Sequence, residues 1–411
     1  MGRRNTIPFL ALIVVLLTTT FFYSGISSSE AWRNLPQHVG LGDHIGSAGS
    51  LEASKNVSND ADFSNWNPRP LFKPGSPMPP GHNYTSTLVI AKTKDEDIRW
   101  IQDNLPQQDT AVYVADDPSA PLHPPKNKGH EVMIYLTYII DNYDELPDIS
   151  IFMHAHQLAW HNEDILGKAA NQMVSRLSRP HVWREGYVNM RCSWYPGCPA
   201  WHHPGVTEVD QSRMEEVLLA KSWSELFPLD EVPTVLAQPC CAQFALSRER
   251  IQAKPLAQYI WYRDWILNTR MHDQLSGRIF EYIWQFIFTG SNKFCPKEHV
   301  CFCDQYGFCF GGEEAYDKYK ALQSELEENE QNLHTWWQNN EAIKKATAEG
   351  DKKKLEEIEV PEPGKDADYR REIDRLWPLV DGLKRDAKRR GQDPRNRAME
   401  SGREWKEGDG F

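Results

Sequence analysis

The feature that most constrains the fold is an alternation of short apolar segments with helical patterns between residues 87 and 153. Apolar runs of strand length occur at residues 87–91, 111–114 and 149–153, with helical spacing between them. This alternation is typical of a parallel sheet with right-handed crossovers. It predicts an α/β fold with a mostly parallel sheet and flanking helices. Ligands of such sheets bind beyond the carboxyl ends of the strands, so residues that follow a strand are candidate site residues.

An uncharged apolar run at residues 7–26 follows Arg3 and Arg4. Twenty helical residues span about 30 Å, the thickness of a bilayer's hydrocarbon core. The arginines favour a cytoplasmic N-terminus. We therefore predict a type II signal-anchor at residues 7–26 with residues 1–6 as its cytoplasmic tail. A cleaved secretory signal is the alternative, which makes the protein secreted.

Composition divides the rest of the chain. Residues 27–85 are rich in Ser, Asn, Gly and Pro and predict an extended stem. Residues 86–312 contain many aromatic residues and form the predicted lumenal domain. The net charge of −12 provides no excess of positive charge for phosphate backbones, so no nucleic-acid partner is expected.

Residues 313–411 are strongly charged and carry two apolar stripes at helical spacing. These stripes predict two amphipathic helices in a hairpin or a coiled coil. Trp336 and Trp337 are expected to dock the helices on the body, and self-association is the alternative. Pro378 is expected to kink or interrupt the second helix.

The eight cysteines favour disulfides over a zinc site, because the usual Cys-x2-Cys pairs are missing. Cys192 and Cys198 flank a turn and are expected to form a bridge. Another four crowd into one stretch and are expected to pair among themselves: Cys295, Cys301, Cys303 and Cys309. The adjacent Cys240 and Cys241 are not expected to bond to each other.

Two glycosylation sequons agree with a secretory compartment. Asn56 begins Asn-Val-Ser and Asn83 begins Asn-Tyr-Thr.

A histidine pair follows the third predicted strand. His154 and His156 project from one face if that strand extends by two residues. Two imidazoles placed in this way could bind a divalent metal or hold an anionic leaving group. The alternative is a pair of histidines that hydrogen-bond to neighbouring carbonyl groups.

The predicted helix after residue 126 offers a phosphate site. Free N–H groups of its first turn, at Asn127, Gly129 and Glu131, could receive a phosphate, and Lys128 adds positive charge. Ordinary helix capping by Asn127 and Glu131 explains the same pattern.

Glu281 lies between two aromatic residues, and apolar surroundings raise the pKa of a carboxyl group toward that of a general base. An ion pair with Arg278, one helical turn earlier, is the structural alternative.

Several strings together resemble a largely fungal family known as domain of unknown function 3431. They are Asn127-x-Gly129-x-Glu131-x3-Tyr135-Leu136, the histidine segment at 152–161, Gln243-Phe244-Ala245-x-Ser247-Arg248 and Gly277-Arg278-x2-Glu281-x2-Trp284. That family in turn resembles, more distantly, the GT-A type glycosyltransferases, which are commonly type II membrane proteins with a stem. The resemblance implies a GT-A-like fold and a Golgi or ER enzyme that transfers a sugar from a nucleotide-sugar donor to a glycan or glycoprotein acceptor.

The resemblance also implies roles for residues. The donor-binding residues are Asn127, Lys128, Gly129, Glu131 and Arg248. The histidines line the transfer site, Glu281 is the base, and Mn²⁺ or another divalent metal is the cofactor. His154-Ala155-His156 stands where the transferases have Asp-x-Asp, so the metal is held differently or is not used. Two alternatives stay open: a non-catalytic binding or scaffold protein on a degenerate transferase fold, and a histidine-metal hydrolase.

Overall fold

A computed structural model describes residues 72–75, 78–79 and 81–407. The predicted cytoplasmic tail, the anchor at 7–26 and Asn56 lie outside these residues. Asn83 lies within them and is exposed. None of the helices in the described ranges combines the length and apolar character needed to cross a bilayer.

Five strands form one sheet in the order β2-β1-β3-β5-β4. Their bounds are β1 Ser86–Lys92, β2 Asp109–Val114, β3 Ile149–His154, β4 Tyr187–Asn189 and β5 Phe244–Ser247. β1 pairs in parallel with β2 and β3, whereas β5 runs antiparallel to both β3 and β4. The α/β class is therefore confirmed, whereas the predicted mostly parallel character is not, because the sheet is mixed and β5 runs antiparallel to both of its neighbours.

Fourteen α-helices are present in the described ranges, with a short 3₁₀ turn at Asp164–Leu166. In chain order they are α1 Arg99–Asn104, α2 Glu131–Asp141, α3 Ala170–Arg176, α4 Arg179–Glu185, α5 Glu216–Leu226, α6 Arg248–Gln252, α7 Leu256–Asn268, α8 Asp273–Glu281, α9 Trp284–Thr289, α10 Glu298–Tyr306, α11 Glu313–Glu349, α12 Lys352–Glu357, α13 Lys365–Arg390 and α14 Pro394–Glu400.

Both faces of the sheet are covered, which explains why β1 and β3 read as continuous apolar runs. Val89 and Phe152 face a core built with α2, α7, α8 and α9. Leu88 and Ile151 face a second core built with α3, α4, α10 and the C-terminal helices. Successive strand residues point to opposite faces, so nearly every central position is apolar. The buried Ser150 of β3 is the exception, and its hydroxyl shares a hydrogen bond with the Tyr138 hydroxyl over 3.2 Å.

The chain after β3 returns to the sheet in two short strands. Residues 234–237 form an apolar run of strand length but make only isolated bridges at Leu236 and Ala237. The sheet instead takes β4, which precedes this run, and β5, which follows it. Both strands are three or four residues long and fully buried, so they carry no alternating pattern that could identify them.

The disulfide pairing also corrects the prediction. Cys192 bonds to Cys301 and Cys198 bonds to Cys295, while Cys303 bonds to Cys309. The loop after β4 packs against the segment before α10, where the Trp194 indole donates to the carbonyl of Pro296 over 2.7 Å. Cysteines distant in sequence therefore come within bonding range, with Cα–Cα distances of 5.5 and 5.9 Å.

The adjacent Cys240 and Cys241 also bond to each other, contrary to expectation. All eight cysteines are thus bridged.

The charged extension forms a helical hairpin of α11 and α13, as predicted. Its apolar residues that join the core are Tyr316, Tyr319, Leu326, Leu376, Val380 and Ala387. The expected docking through Trp336 and Trp337 is wrong, because Trp336 donates to the carbonyl of Glu362 between the helices and Trp337 is 41% exposed. The second helix continues through Pro378.

The end of the predicted stem packs on the body. The carbonyl of Lys73 accepts a hydrogen bond from Arg250 over 3.1 Å, and the Phe72 ring lies under the Arg250 guanidinium. Gly75 N–H donates to the carbonyl of Arg184. Arg250 follows β5, which runs opposite to β3, so this contact lies at the amino-end edge of the three parallel strands.

Candidate functional site

The strand order reverses between β1 and β3, because the chain passes from β1 to β2 on one side and then returns to β3 on the other. Ligands of open α/β sheets bind at the carboxyl ends of strands at such a switch point. A cavity of about 1000 Å³ lies there. Its lining comes from the loop after β1, from α1 and from the loop after β3: Asp95, Glu96, Asp97, Arg99, Trp100, Asp103, Asn104, Ala155, His156, Gln157 and Leu158.

The predicted histidine segment lies at this edge. His154 ends β3, and its Nε2 lies 2.6 Å from Nε2 of His161. The backbone N–H of His156 donates to Nδ1 of His154 over 3.1 Å. Nδ1 of His154 is therefore unprotonated, so the neutral ring carries its proton on Nε2 and donates it to His161.

Both half-buried imidazoles are held in the neutral form. Burial, together with the neighbouring His161 and His156, lowers the pKa of His154 to about 3. Burial, Arg191 and His156 lower the pKa of His161 to about 4.

This arrangement does not fit a metal at His154 and His156. A metal needs the lone pair of Nε2, but that nitrogen of His154 carries the proton. His156 turns instead toward Glu96, at 3.5 Å between Nε2 and Oε1. In the described ranges, the one set of three possible ligands with converging atoms is Cys303, Cys309 and Glu400, and it contains a disulfide.

Two glutamates from different helices meet at the same edge. Glu131 begins α2 and Glu281 ends α8. The helices approach through glycines, since a Cβ on Gly277 would lie 3.1 Å from the carbonyl oxygen of Gly129. Gly129 itself has φ 71°, and a Cβ there would lie 2.8 Å from Ile266 Cγ2. Glu281 follows Gly277 by four residues and thus shares its helix face, which is directed at the start of α2.

The surroundings of Glu281 favour its protonated form. Burial and the nearby charge of Glu131 raise its pKa to about 7, although the backbone N–H of Cys241 donates to Oε1 over 2.9 Å. Burial also raises the pKa of Glu131. Both side chains are half-buried. The alternative interpretation, an ion pair between Glu281 and Arg278, does not describe the structure, because the Arg278 guanidinium donates to Glu215 over 3.1 Å.

Of the residues predicted to bind the nucleotide-sugar donor, only Gly129 and Glu131 lie at the carboxyl pair. Lys128, Asn127 and Arg248 do not contribute to it. The Lys128 ammonium contacts the carbonyls of Leu267 and Thr269 at the end of α7. Asn127 is exposed, and α2 begins after His130 without a side-chain cap.

Arg248 binds Asp148 over 2.9 Å just before β3 begins. Arg248 therefore lies at the amino ends of the parallel strands, whereas the histidines lie at the carboxyl ends, because Asp148 precedes β3 and His154 ends it.

The sequence prediction missed Glu131 as the carboxyl neighbour of Glu281. It also missed His161 as the partner of His154, and the contact from Cys241. No spacing signal links Glu131 to Glu281, which are 150 residues apart; only the packing of α8 on α2 brings them together.

A comparison with protein families matches residues 88–304 to the family described as protein of unknown function (DUF3431). No curated protein matches the chain, and no solved structure does. The matched segment covers the sheet apart from the first two residues of β1, contains both glutamates, and is more than half of the 411 residues. The chain belongs to the DUF3431 family of proteins of unknown function.

Proposed function

We propose that this chain is a lumenal glycosyl-transferring enzyme in which Glu281 is the general base. The observation that carries the proposal is the half-buried carboxyl pair of Glu131 and Glu281 at the carboxyl-end edge, where the pKa of Glu281 is raised to about 7. A base is most effective when its pKa is near the ambient pH. Carboxyl pairs with perturbed pKa values are the acid–base groups of chemistry at glycosidic carbon.

In the proposed reaction, a hydroxyl oxygen of a glycan or glycoprotein acceptor attacks the anomeric carbon of a nucleotide sugar. The hydroxyl proton passes to Oε2 of Glu281 as the new C–O bond forms. The bond from the anomeric carbon to the nucleoside diphosphate breaks, and the diphosphate leaves with the bonding electrons. The Cys241 amide occupies Oε1, so Oε2 is the oxygen left for the proton.

The compartment supports the proposal. Four disulfides are typical of a secretory or lumenal environment. Residues 72–75 join the body at the amino-end edge of the parallel strands, opposite the cavity. An enzyme of the proposed type II topology, tethered through its N-terminus in the Golgi or ER, would thus direct its site away from the tether.

A second function is favoured by the charge of the cavity. Its lining carries four carboxylates and one guanidinium, and that guanidinium of Arg99 is bound to Asp97 at 2.6 Å. A nucleoside diphosphate is an anion and would be repelled by this lining. A non-catalytic binding protein on a degenerate transferase fold is therefore the alternative.

Purified full-length protein tests the two functions. Nucleotide sugars, each with and without Mn²⁺, are screened for donor-induced thermal stabilisation and for transfer or hydrolysis of the sugar. Glu281→Gln should reduce turnover at least about 100-fold while retaining the thermal shift. Glu145→Gln, at an exposed glutamate after α2, is the matched control.

Absence of a shift with every donor would support the binding protein. Equal turnover by wild type and Glu281→Gln would refute the role of Glu281.

A further inference from the structure

The 238–241 loop wraps around Glu281 and is fixed at its start. The Gln238 side chain donates from Nε2 to the carbonyl of Glu281 over 2.5 Å and accepts from the Tyr187 hydroxyl over 2.6 Å. The Asn189 side chain donates from Nδ2 to the carbonyl of Pro239 over 2.7 Å. These contacts hold the loop to β4 and to the end of α8.

The far end of the loop is closed by the disulfide between Cys240 and Cys241. Cys240 is 5% exposed, and its N–H donates to the carbonyl of Pro196 over 2.9 Å. Cys241 has φ 77°, a left-handed conformation that residues other than glycine seldom adopt. The covalent link to Cys240 restricts the backbone rotation that would relieve it.

This conformation directs the Cys241 N–H at Oε1 of Glu281, 2.9 Å away. Within the described part of the chain, no hydrogen-bond donor contacts Oε2. The charged groups that act on Glu281 are Glu131 from α2, Glu215 from the loop before α5, and Arg278 from its own helix. Among the described residues, the amide of Cys241 is thus the one neutral group that donates a hydrogen bond to the Glu281 carboxylate.

We propose that the Cys240–Cys241 disulfide is a positioning element of the Glu281 site, which holds the Cys241 amide on Oε1 and leaves Oε2 for the substrate proton. The proposal rests on the proposed function of Glu281 as a base. A dithiol reductant would transfer two electrons and two protons to the bridge, giving two thiols and its own disulfide. The freed Cys241 would then relax to negative φ and withdraw its N–H from Glu281.

The test measures Glu281 directly and needs no donor or acceptor. Full-length protein labelled with ¹³C at glutamate Cδ is titrated by NMR, and the Glu281 signal is assigned by its loss in Glu281→Gln. In Cys240→Ser/Cys241→Ser, the pKa of Glu281 should rise by about 1 to 2 pH units, because the ionised carboxylate loses a hydrogen bond.

A matched control removes another short-range bridge. Cys303→Ser/Cys309→Ser removes a disulfide whose partners are six residues apart. This bridge lies against the C-terminal hairpin, where the Cys309 N–H donates to the carbonyl of Ala387. It should leave the Glu281 titration unchanged. An unchanged titration in Cys240→Ser/Cys241→Ser, with the other three bridges verified by peptide mapping, would overturn the proposal.

A second variant covers the case in which the serine variant does not fold. Cys240→Ala/Cys241→Ala removes the bridge without adding hydroxyl groups, and alanine, like cysteine, disfavours positive φ. It should show the same upward movement of the Glu281 pKa, because residue 241 is then free to relax to negative φ and withdraw its N–H. Glu281 could fail as a catalytic base and still respond to the bridge, so this titration and the turnover assay fail independently.

Discussion

Replacing Glu281 by glutamine should remove a pH-dependent penalty on folding. The pKa of Glu281 is raised in the folded protein from its ordinary 4.5 to about 7. The folded state therefore binds the proton more tightly than the unfolded state. The resulting stabilisation is complete below pH 4.5 and is lost as the pH rises through about 7.

The magnitude follows from that difference, since each pH unit corresponds to about 1.4 kcal/mol. Relative to wild type, Glu281→Gln should gain about 3 kcal/mol in free energy of unfolding between pH 4.5 and pH 8. The glutamine carbonyl can still accept from the Cys241 N–H, so the contact seen in wild type is retained.

Urea unfolding at intervals from pH 4.5 to pH 8, followed by tryptophan fluorescence, measures the difference between the two proteins. The neutral His154 and His161 act in the opposite sense. Their pKa values are lowered to about 3 and 4, so their stabilisation is present above about pH 6.5 and is lost as the pH falls. They are common to both proteins and cancel in the difference.

Glu145→Gln is the control, and as a surface change it should stay within about 0.5 kcal/mol of wild type throughout. If the difference in free energy of unfolding between wild type and Glu281→Gln is constant from pH 4.5 to pH 8, the pKa of Glu281 is not raised in the folded protein.

Three further substitutions test the assignment of individual residues. Lys128→Met should cost about 1–3 kcal/mol, because the partly buried carbonyls at the end of α7 lose their charged hydrogen-bond donor, and calorimetry should show any thermal shift induced by a nucleotide sugar unchanged. Gly129→Ala should destabilise by more than about 1 kcal/mol, since φ is 71° and Ile266 blocks the new methyl group; urea unfolding measures this cost. His154→Ala should lower the melting temperature by leaving His161 unpaired, whereas Zn²⁺ should stabilise neither protein; a Zn²⁺ shift abolished by the substitution would contradict the tautomer argument.

Local patterns predicted one half of the fold well. The central residues of β1, β3 and α2 are buried, and the apolar runs of these elements are long enough to identify them. The mixed character of the sheet depends on β5, whose four residues carry no sign of strand direction. Strand direction is set by the long connection through α5, which sequence periodicity does not report.

The candidate site was predictable one residue at a time. Aromatic neighbours pointed to a raised pKa for Glu281, and the strand end pointed to His154. Their partners depend on tertiary packing: α8 brings Glu281 to Glu131, and the loop after β3 folds back to place His161 against His154. The disulfides follow the same rule, because Cys192 meets Cys301 through the packing of α10.

Titration of the Glu281 and Glu131 side chains by ¹³C NMR measures whether they form a carboxyl pair suited to acid–base chemistry. Glu281 should titrate near pH 7 in wild type, and its pKa should fall in Glu131→Gln because the neighbouring negative charge is removed. A Glu281 signal that titrates near its ordinary 4.5 in wild type, and does not move in Glu131→Gln, would contradict the account.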